Sequence, residues 1–239
     1  YPDWKRTNVY VPNSQLLSVA GEHPDLLIPC VSINPKRRDV LEELERCAEG
    51  GARVLKIHPP IQDVDPGEER FRPFFRRLAD LRILLMVHTG SEHGSEITTD
   101  RFSNPDRLAT ALEEGCTVIA AHSGMGGFLD TVDFFPSLVQ MLHRYPGLYC
   151  DSAVLASMFR WRSLARILGE EIVMERLIHG SDWPFPSNPM IFWNPLRPQH
   201  LLNLCSETNL FERDFRLKLA LGFPPEVFER GARLLNQFD

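Results

Sequence analysis

Short, almost continuously apolar runs alternate along the chain with longer stretches in which apolar residues recur every three or four positions. Apolar runs of this length are typical of parallel strands that are buried on both faces. The longer stretches have the period of amphipathic helices. The pattern predicts six buried strands separated by helices. The strand-like runs cover residues 26–34, 53–58, 82–88, 116–122, 147–151 and 176–182.

Polar residues close the predicted strands at a regular interval. The successive gaps between them are 24, 30, 34, 29 and 31 residues. A strand, its helix and the return to a parallel neighbour take about 30 residues. The spacing therefore predicts an α/β fold made of repeated strand–helix units. The polar strand ends are Asn34, His58, His88, His122, Asp151 and Asp182.

The expected architecture is a TIM-like (β/α)8 barrel. No GxGxxG motif follows the first predicted strand, which disfavours the nucleotide-binding open sheets. A barrel has eight strands, so the first one or two are expected to precede Tyr1 or to lie partly within residues 7–12; an open six-stranded sheet is the alternative. Residues 1–239 are predicted to form a single domain with a C-terminal helical extension from about 195 to 239. Its helices are expected at 197–207, 212–221 and 225–238.

Composition and charge indicate which kinds of binding partner the protein can have. A chain of 239 residues that is 43% hydrophobic is long enough to bury one large core. The net charge of −6 and the lack of a long Lys/Arg run disfavour a nucleic-acid surface. No apolar stretch is long enough to span a membrane, and the first ten residues lack the apolar region of a signal peptide. We expect a cytoplasmic protein with a small-molecule substrate.

The cysteines fit a reducing compartment. There are five of them, an odd number, and none is part of a CxxC motif. Free buried thiols are the default for such a pattern. The five are Cys30, Cys47, Cys116, Cys150 and Cys205.

Imidazoles and carboxylates at equivalent strand ends point to a metal centre. In a parallel barrel, these ends meet at one mouth, where barrel enzymes carry their chemistry. Neutral imidazole and carboxylate are good ligands for zinc and similar divalent ions. A carboxylate beside the ion can accept a proton, and a further histidine can stabilise a developing negative charge. The sequence thus predicts a divalent cation, with zinc as the expected metal.

Other residues near the mouth are candidates for substrate binding. Lys56 shares a strand face with His58 and has three open roles: a residue of the metal site, an ion-pair partner or a Schiff-base nucleophile. His58 is either a site residue or a structural one. His93 lies on the glycine-bearing loop after His88, and Trp183 lies in the sequence GSDWP. These positions predict contact with a small substrate.

Two further polar residues have structural alternatives. Asp151 either faces the mouth or caps the entry to a helix, because Asp followed by Ser is a common cap. His179 is out of phase with Asp182 in its predicted strand and is expected to face the helices.

The ordered motifs resemble the amidohydrolase superfamily, and in particular the branch that includes aminocarboxymuconate-semialdehyde decarboxylase and related aromatic-acid decarboxylases. The resemblance covers about residues 26–186, and more weakly the C-terminal FERGARLLN. As a set the motifs are fairly specific. They are GARVLKIHP, ILLMVHTG, VIAAHSGMGG, GLYCDSA and LIHGSDWPF.

The resemblance implies a distorted eight-stranded barrel with one divalent metal, often zinc, and assigns roles to three residues. The fifth-strand histidine, a metal ligand in that family, corresponds to His88. The sixth-strand histidine, which acts on substrate or water, corresponds to His122. The eighth-strand aspartate, a metal ligand and proton acceptor, corresponds to Asp182. The implied activity is metal-dependent hydrolysis or decarboxylation of a small carboxylate or of a cyclic ester or amide. The resemblance also implies a homo-oligomer that forms through the C-terminal helices.

One departure from the family pattern keeps a second function open. The family's first strand carries His-x-His, and this sequence has no such motif. The expected explanation is that the first strands precede Tyr1. The alternative is a non-catalytic amidohydrolase-like barrel that serves as a binding or scaffold protein. A metal-free lyase that uses Lys56 as a Schiff base is a third interpretation.

Overall fold

A six-stranded parallel sheet forms the centre of the molecule. The computed structural model describes Lys5, Thr7 and residues 10–92, 99–127, 132–158 and 160–236. The strands are paired in the order of the sequence, and each pair is parallel. The strands are β1 (Cys30–Val31), β2 (Val54–Ile57), β3 (Leu84–His88), β4 (Val118–Ala121), β5 (Leu148–Asp151) and β6 (Leu177–Ile178).

Helices connect the strands, and three more follow the last strand. Short 3-10 turns cover Glu69–Phe71, Asp100–Ser103, Pro105–Leu108, His122–Gly124, Trp161–Ser163 and Pro189–Phe192. The α-helices are α1 (Asn13–Glu22), α2 (Val40–Glu49), α3 (Pro59–Gln62), α4 (Arg72–Asp80), α5 (Ala109–Glu113), α6 (Phe135–Arg144), α7 (Leu164–Leu168), α8 (Glu171–Arg176), α9 (Pro198–Ser206), α10 (Leu210–Ala220) and α11 (Glu226–Asn236).

The alternation of side chains along the strands gives the sheet two apolar faces. On the outer face, residues such as Leu55, Leu85 and Val118 pack against the helices in the main core. On the other face, Val54, Leu84, Ile119 and Ile178 form a second cluster, which Leu234 of α11 joins. Burial on both faces explains why the strand sequences are continuously apolar.

The described strands confirm the predicted α/β fold, although they are shorter than the apolar runs. The C-terminal helices lie close to their predicted bounds. Asn104 caps the 3-10 turn Pro105–Leu108, which leads into α5, by accepting a hydrogen bond from the backbone N–H of Asp106 at 3.3 Å. β6 ends at Ile178, so Asp182 lies on the loop four residues beyond the strand. In the described residues β1 and β6 do not pair with each other, so the sheet is open there.

Two other expectations bear on the protein's environment. All five cysteines are free thiols; Cys47, Cys116 and Cys150 are buried as predicted, whereas Cys30 is partly buried and Cys205 is exposed. None of the helices within the described residues has the length and apolar character to cross a membrane.

Candidate metal centre

Two histidines and a glutamate converge at the carboxyl ends of β2 and β3. His58 follows β2, His88 is the last residue of β3, and Glu92 lies on the loop after β3. Within the described part of the chain, they are the one group of His, Cys, Asp and Glu residues that offers at least three donor atoms, all within 4.8 Å of one another. His58 Nε2 lies 2.9 Å from Glu92 Oε2, and His88 Nδ1 lies 3.8 Å from the same oxygen.

The register of the sheet explains why the imidazoles meet. Ile57 pairs with Val87, and His88 pairs with Ala121, so the residues that end these strands are neighbours. The rings of His58 and His88 stack with centroids 3.9 Å apart. The ring of His122 meets His88 edge-on at 4.9 Å. Three of the predicted site residues thus form one imidazole cluster.

Burial keeps two of these imidazoles neutral. His88 and His122 are 2% and 5% exposed. Burial lowers the pKa of His88 well below its usual value, and repulsion from the neighbouring imidazoles of His122 and His58 in their protonated forms lowers it further. Burial, followed by the positive charges of Arg160 and Lys56, lowers the pKa of His122 well below its usual value. Neutral imidazole is the form that binds a metal.

A strained turn presents His122. His122 and the next residue, Ser123, have φ of 64° and 53°, in the left-handed region that non-glycine residues seldom occupy. Such a conformation persists when its surroundings hold it. The backbone N–H of His122 donates to Asp151 Oδ1 at 2.8 Å, and the Ser123 hydroxyl donates to the Asp151 carbonyl at 2.7 Å.

Asp151 is therefore a support of the site. Its Oδ1 also accepts from the N–H of Ala153 at 3.1 Å, so the residue caps the turn after β5 and fixes His122 at the same time. Burial raises the pKa of Asp151, while its hydrogen bonds and the charge of Lys56 oppose that rise. Asp151 thus acts as a cap, one of its two predicted roles, and also supports His122 at the strand ends.

Tight packing joins the loops that follow β3 and β4. Gly90 has φ of +90°, and a Cβ atom there would lie 2.1 Å from the carbonyl oxygen of Met125. The buried guanidinium of Arg160 donates to the carbonyls of Met125 at 2.7 Å and Ser91 at 2.9 Å. The loop that carries Glu92 is thus held against the loop that carries His122.

Asp182 lies on the β6 side of the sheet and is outside the group formed by His58, His88 and Glu92. It is half-buried, and its φ is 59°. Its negative charge acts on Asp151 and on Lys218 of α10. Trp183, the next residue, is 55% exposed, and its ring lies 5.5 Å from that of Phe211.

The other predicted residues take different positions. Lys56 lies on β2, is half-buried and brings positive charge to His122 and Asp151. His179 faces the helices, as expected: its ring lies 5.0 Å from Phe228 and its Nε2 lies 3.8 Å from Asp214. His93 lies outside the described residues.

A comparison with known protein families shows which family the chain belongs to. The sequence profile of the amidohydrolase family matches residues 2–204. The chain belongs to the amidohydrolase family. The resemblance seen in the motifs is confirmed. Comparison with curated protein sequences gives no match.

Solved structures support the barrel fold of this amidohydrolase. An uncharacterized TIM-barrel protein from Bordetella bronchiseptica is 18% identical with a TM-score of 0.61, over 89% of this chain and 73% of that one. IDCase from Metarhizium anisopliae in its apo form is 15% identical with a TM-score of 0.55, over 95% and 68% of the two chains. An amidohydrolase structure is 17% identical with a TM-score of 0.52, over 94% and 75%.

The donor set of this amidohydrolase fits a divalent cation. Two histidines and one glutamate are a protein ligand set of catalytic zinc sites. His58 Nδ1, His88 Nε2 and His122 Nδ1 are buried and have no hydrogen-bond partner among the described residues. A buried polar atom without a partner is costly, so these nitrogens are free to bind a ligand in addition to His58 Nε2 and His88 Nδ1, the ring nitrogens that face Glu92. The sequence did not identify Glu92; the available signal was a carboxylate four residues after His88 on the mouth loop.

Acid is expected to destabilise the metal-free protein through histidines whose pKa the fold lowers. Burial, and then the charge of Lys218, lowers the pKa of His179 to about 3. An unfolded histidine binds its proton near pH 6.5. A lowered folded pKa gives stability that is complete above about pH 6.5 and falls as the pH drops toward 3, by about 1.4 kcal/mol per pH unit for each such histidine.

Denaturant unfolding at pH 6 and pH 5 checks this expectation. His179→Phe should lose about 1.4 kcal/mol less than the parent across that unit. His143→Phe, at an exposed histidine of α6, is the control and should keep the parent's loss. An unchanged loss in His179→Phe would show that His179 does not remain neutral in the fold.

Proposed function

We propose that this chain is a metal-dependent hydrolase or decarboxylase that acts on a small carboxylate or on a cyclic ester or amide. The convergence of His58, His88 and Glu92 at the strand ends carries the proposal. These three residues would hold the cation, with zinc as the expected metal because its catalytic sites use this donor set. A divalent cation supplies Lewis acidity, which stabilises negative charge on a substrate oxygen and acidifies water.

His122 is proposed to handle a proton or a hydrogen bond of the substrate. Its Nδ1 is buried without a partner among the described residues, beside the edge of the His88 ring. Because burial keeps the ring neutral, one nitrogen can donate a hydrogen bond while the other accepts. The hydrogen bond from its backbone N–H to Asp151 holds the backbone of His122 in its left-handed conformation.

Asp182 is proposed as the proton acceptor, and its assignment as a metal ligand remains a prediction. A carboxylate that lies at the mouth and is half-buried can take a proton from the reacting group and return it to the product.

The charges around the centre favour an anionic substrate. Lys56 and Arg160 both act on His122 as positive charges. The ammonium of half-buried Lys56 can attract and orient a substrate carboxylate, while the guanidinium of Arg160, which donates to backbone carbonyls, adds only its positive charge. Exposed Trp183 offers an apolar wall for the rest of a small molecule. The proposal includes both hydrolysis and decarboxylation, because the bond that is cleaved depends on the substrate.

Asp182→Asn tests the chemistry. Zinc- and manganese-loaded protein is assayed against lactones, cyclic amides and aromatic carboxylates, and turnover of the best substrate should fall by about 10²–10⁴ in the variant because general-base catalysis contributes that much. Asp133→Asn is the matched control, since Asp133 is an exposed partner of Arg166. Full turnover in Asp182→Asn would remove its proton-transfer role.

The same assay decides between the enzyme and the non-catalytic barrel. The absence of a His-x-His motif within residues 1–239 is the feature that keeps the second function open. Tight zinc binding without turnover of any of the three substrate classes would support a binding or scaffold protein.

A further inference from the structure

A buried ion pair lies on α10, behind the loop that carries Asp182. Lys218 and Asp214 are one helical turn apart and are 0% and 6% exposed. Lys218 Nζ donates to Asp214 Oδ2 at 2.7 Å and to the carbonyl oxygen of Gly180 at 2.7 Å. The ammonium thus joins α10 to Gly180, which lies two residues before Asp182.

Stability alone is a poor explanation for such a pair. Removing an ammonium and a carboxylate from water is costly, and replacing a buried ion pair by apolar residues is often neutral or stabilising. Charged and titratable groups from the strand ends surround the pair. Lys218 interacts electrostatically with three carboxylates. The strongest interaction is with Asp214 on its own helix, and weaker ones are with Asp151 and Asp182. His179 faces Asp214 from the end of β6.

The loop from Gly180 to Asp182 is held from two sides. On the sheet side, the N–H of Gly180 donates to the Ser152 hydroxyl at 3.2 Å. On the helix side, the carbonyl of Gly180 accepts from Lys218. Asp182 itself has a left-handed φ of 59°, which its surroundings must maintain. The Asp182 carbonyl accepts from the N–H of Phe185 at 3.0 Å, which makes that amide a reporter of the turn.

We propose that Lys218 is a positioning residue for Asp182: its ammonium fixes the Gly180 carbonyl and so sets the position in which the Asp182 carboxylate meets the strand ends. The catalytic consequence of this role rests on the proposed function, but the positioning itself does not. Asp214 holds the ammonium in place from within the helix. The C-terminal helices, which contribute no residue to the imidazole cluster, thereby become part of the active-site framework.

NMR of the metal-free protein tests the positioning. Asp214→Asn keeps a hydrogen-bonding partner for Lys218 and is the matched control for the double variant Asp214→Asn/Lys218→Met, which carries no buried charge at this pair. The carboxyl ¹³C resonance of Asp182, assigned by its absence in Asp182→Asn, should stay in place in Asp214→Asn and move in the double variant. The Phe185 amide should exchange about 10- to 100-fold faster in the double variant, as expected when a charged hydrogen bond is lost.

A second readout separates positioning from simple docking of the helix. The N–H of Leu221, which donates to Leu217 at 2.9 Å, reports the integrity of the end of α10. The proposal predicts that its exchange stays at the parent rate while Asp182 moves. An unmoved Asp182 resonance, or an equal loss of protection at Leu221, would overturn the proposal. Because neither metal nor substrate is used, such a failure would leave the proposed function intact, and an inactive enzyme would leave this result unaffected.

Discussion

Replacing His88 by alanine is expected to weaken zinc binding by more than about a hundredfold. Loss of residues that merely support metal ligands costs 10–100-fold in affinity, so loss of a ligand should cost more. His88 is the central residue of the cluster, because its ring contacts those of both His58 and His122. Equilibrium dialysis or calorimetry with Zn²⁺ measures the change.

The control for this experiment is His143→Ala, which removes an exposed imidazole from α6. It should bind zinc as the parent does. Circular dichroism establishes that both variants are folded before their affinities are compared. Zinc affinity in His88→Ala equal to that of the control would mean that His88 does not ligate the ion.

Gly90→Ala is expected to cost about 2–5 kcal/mol of unfolding free energy, the sum of a left-handed φ and an overpacked contact. The new Cβ would lie 2.1 Å from the carbonyl oxygen of Met125 and 2.9 Å from its carbon, and both are backbone atoms that cannot rotate away. Gly90 lies midway between His88 and Glu92. Its displacement should therefore also weaken zinc binding, by about tenfold. Urea unfolding and zinc titration measure the two effects.

Gly51→Ala separates backbone strain from the clash. Gly51 has φ of +88°, close to that of Gly90, but no described atom lies within 4 Å of the Cβ it would gain. The strain alone should cost about 1–2 kcal/mol and leave zinc affinity unchanged. Equal losses of stability in the two variants would show that the β3 and β4 loops are not packed as closely as described here.

The sequence predicted the framework because two local signals coincide at each strand. Continuous apolar runs identify the buried strands, and a polar residue after each run identifies the mouth of a parallel sheet. These signals placed His58, His88 and His122 together before the structure was known. The strand ends predict these contacts because the register of a parallel sheet places equivalent positions of neighbouring strands side by side.

The role of Glu92 was not predictable in the same way. Glu92 lies on a loop, where no periodicity fixes the direction of a side chain, and the sequence offers several carboxylates near the mouth. Its position depends on Gly90 and on the hydrogen bonds from Arg160, which are contacts between distant segments. Loops of this kind carry function because a rigid scaffold positions them.

The buried Lys218 was also missed, for a different reason. Its helix has an ordinary amphipathic pattern in which a lysine is expected to face solvent. Only the fold shows that the ammonium reaches the Gly180 carbonyl. Asp182, by contrast, is predicted from its motif, and the strand that precedes it ends four residues earlier than the apolar run suggested.

Anomalous diffraction from crystals of zinc-loaded protein tests the central claim most directly. The account predicts a single zinc peak within bonding distance of His58, His88 and Glu92, at the carboxyl ends of β2 and β3. A zinc peak bound elsewhere on the molecule, with these three side chains still joined only to one another, would contradict it.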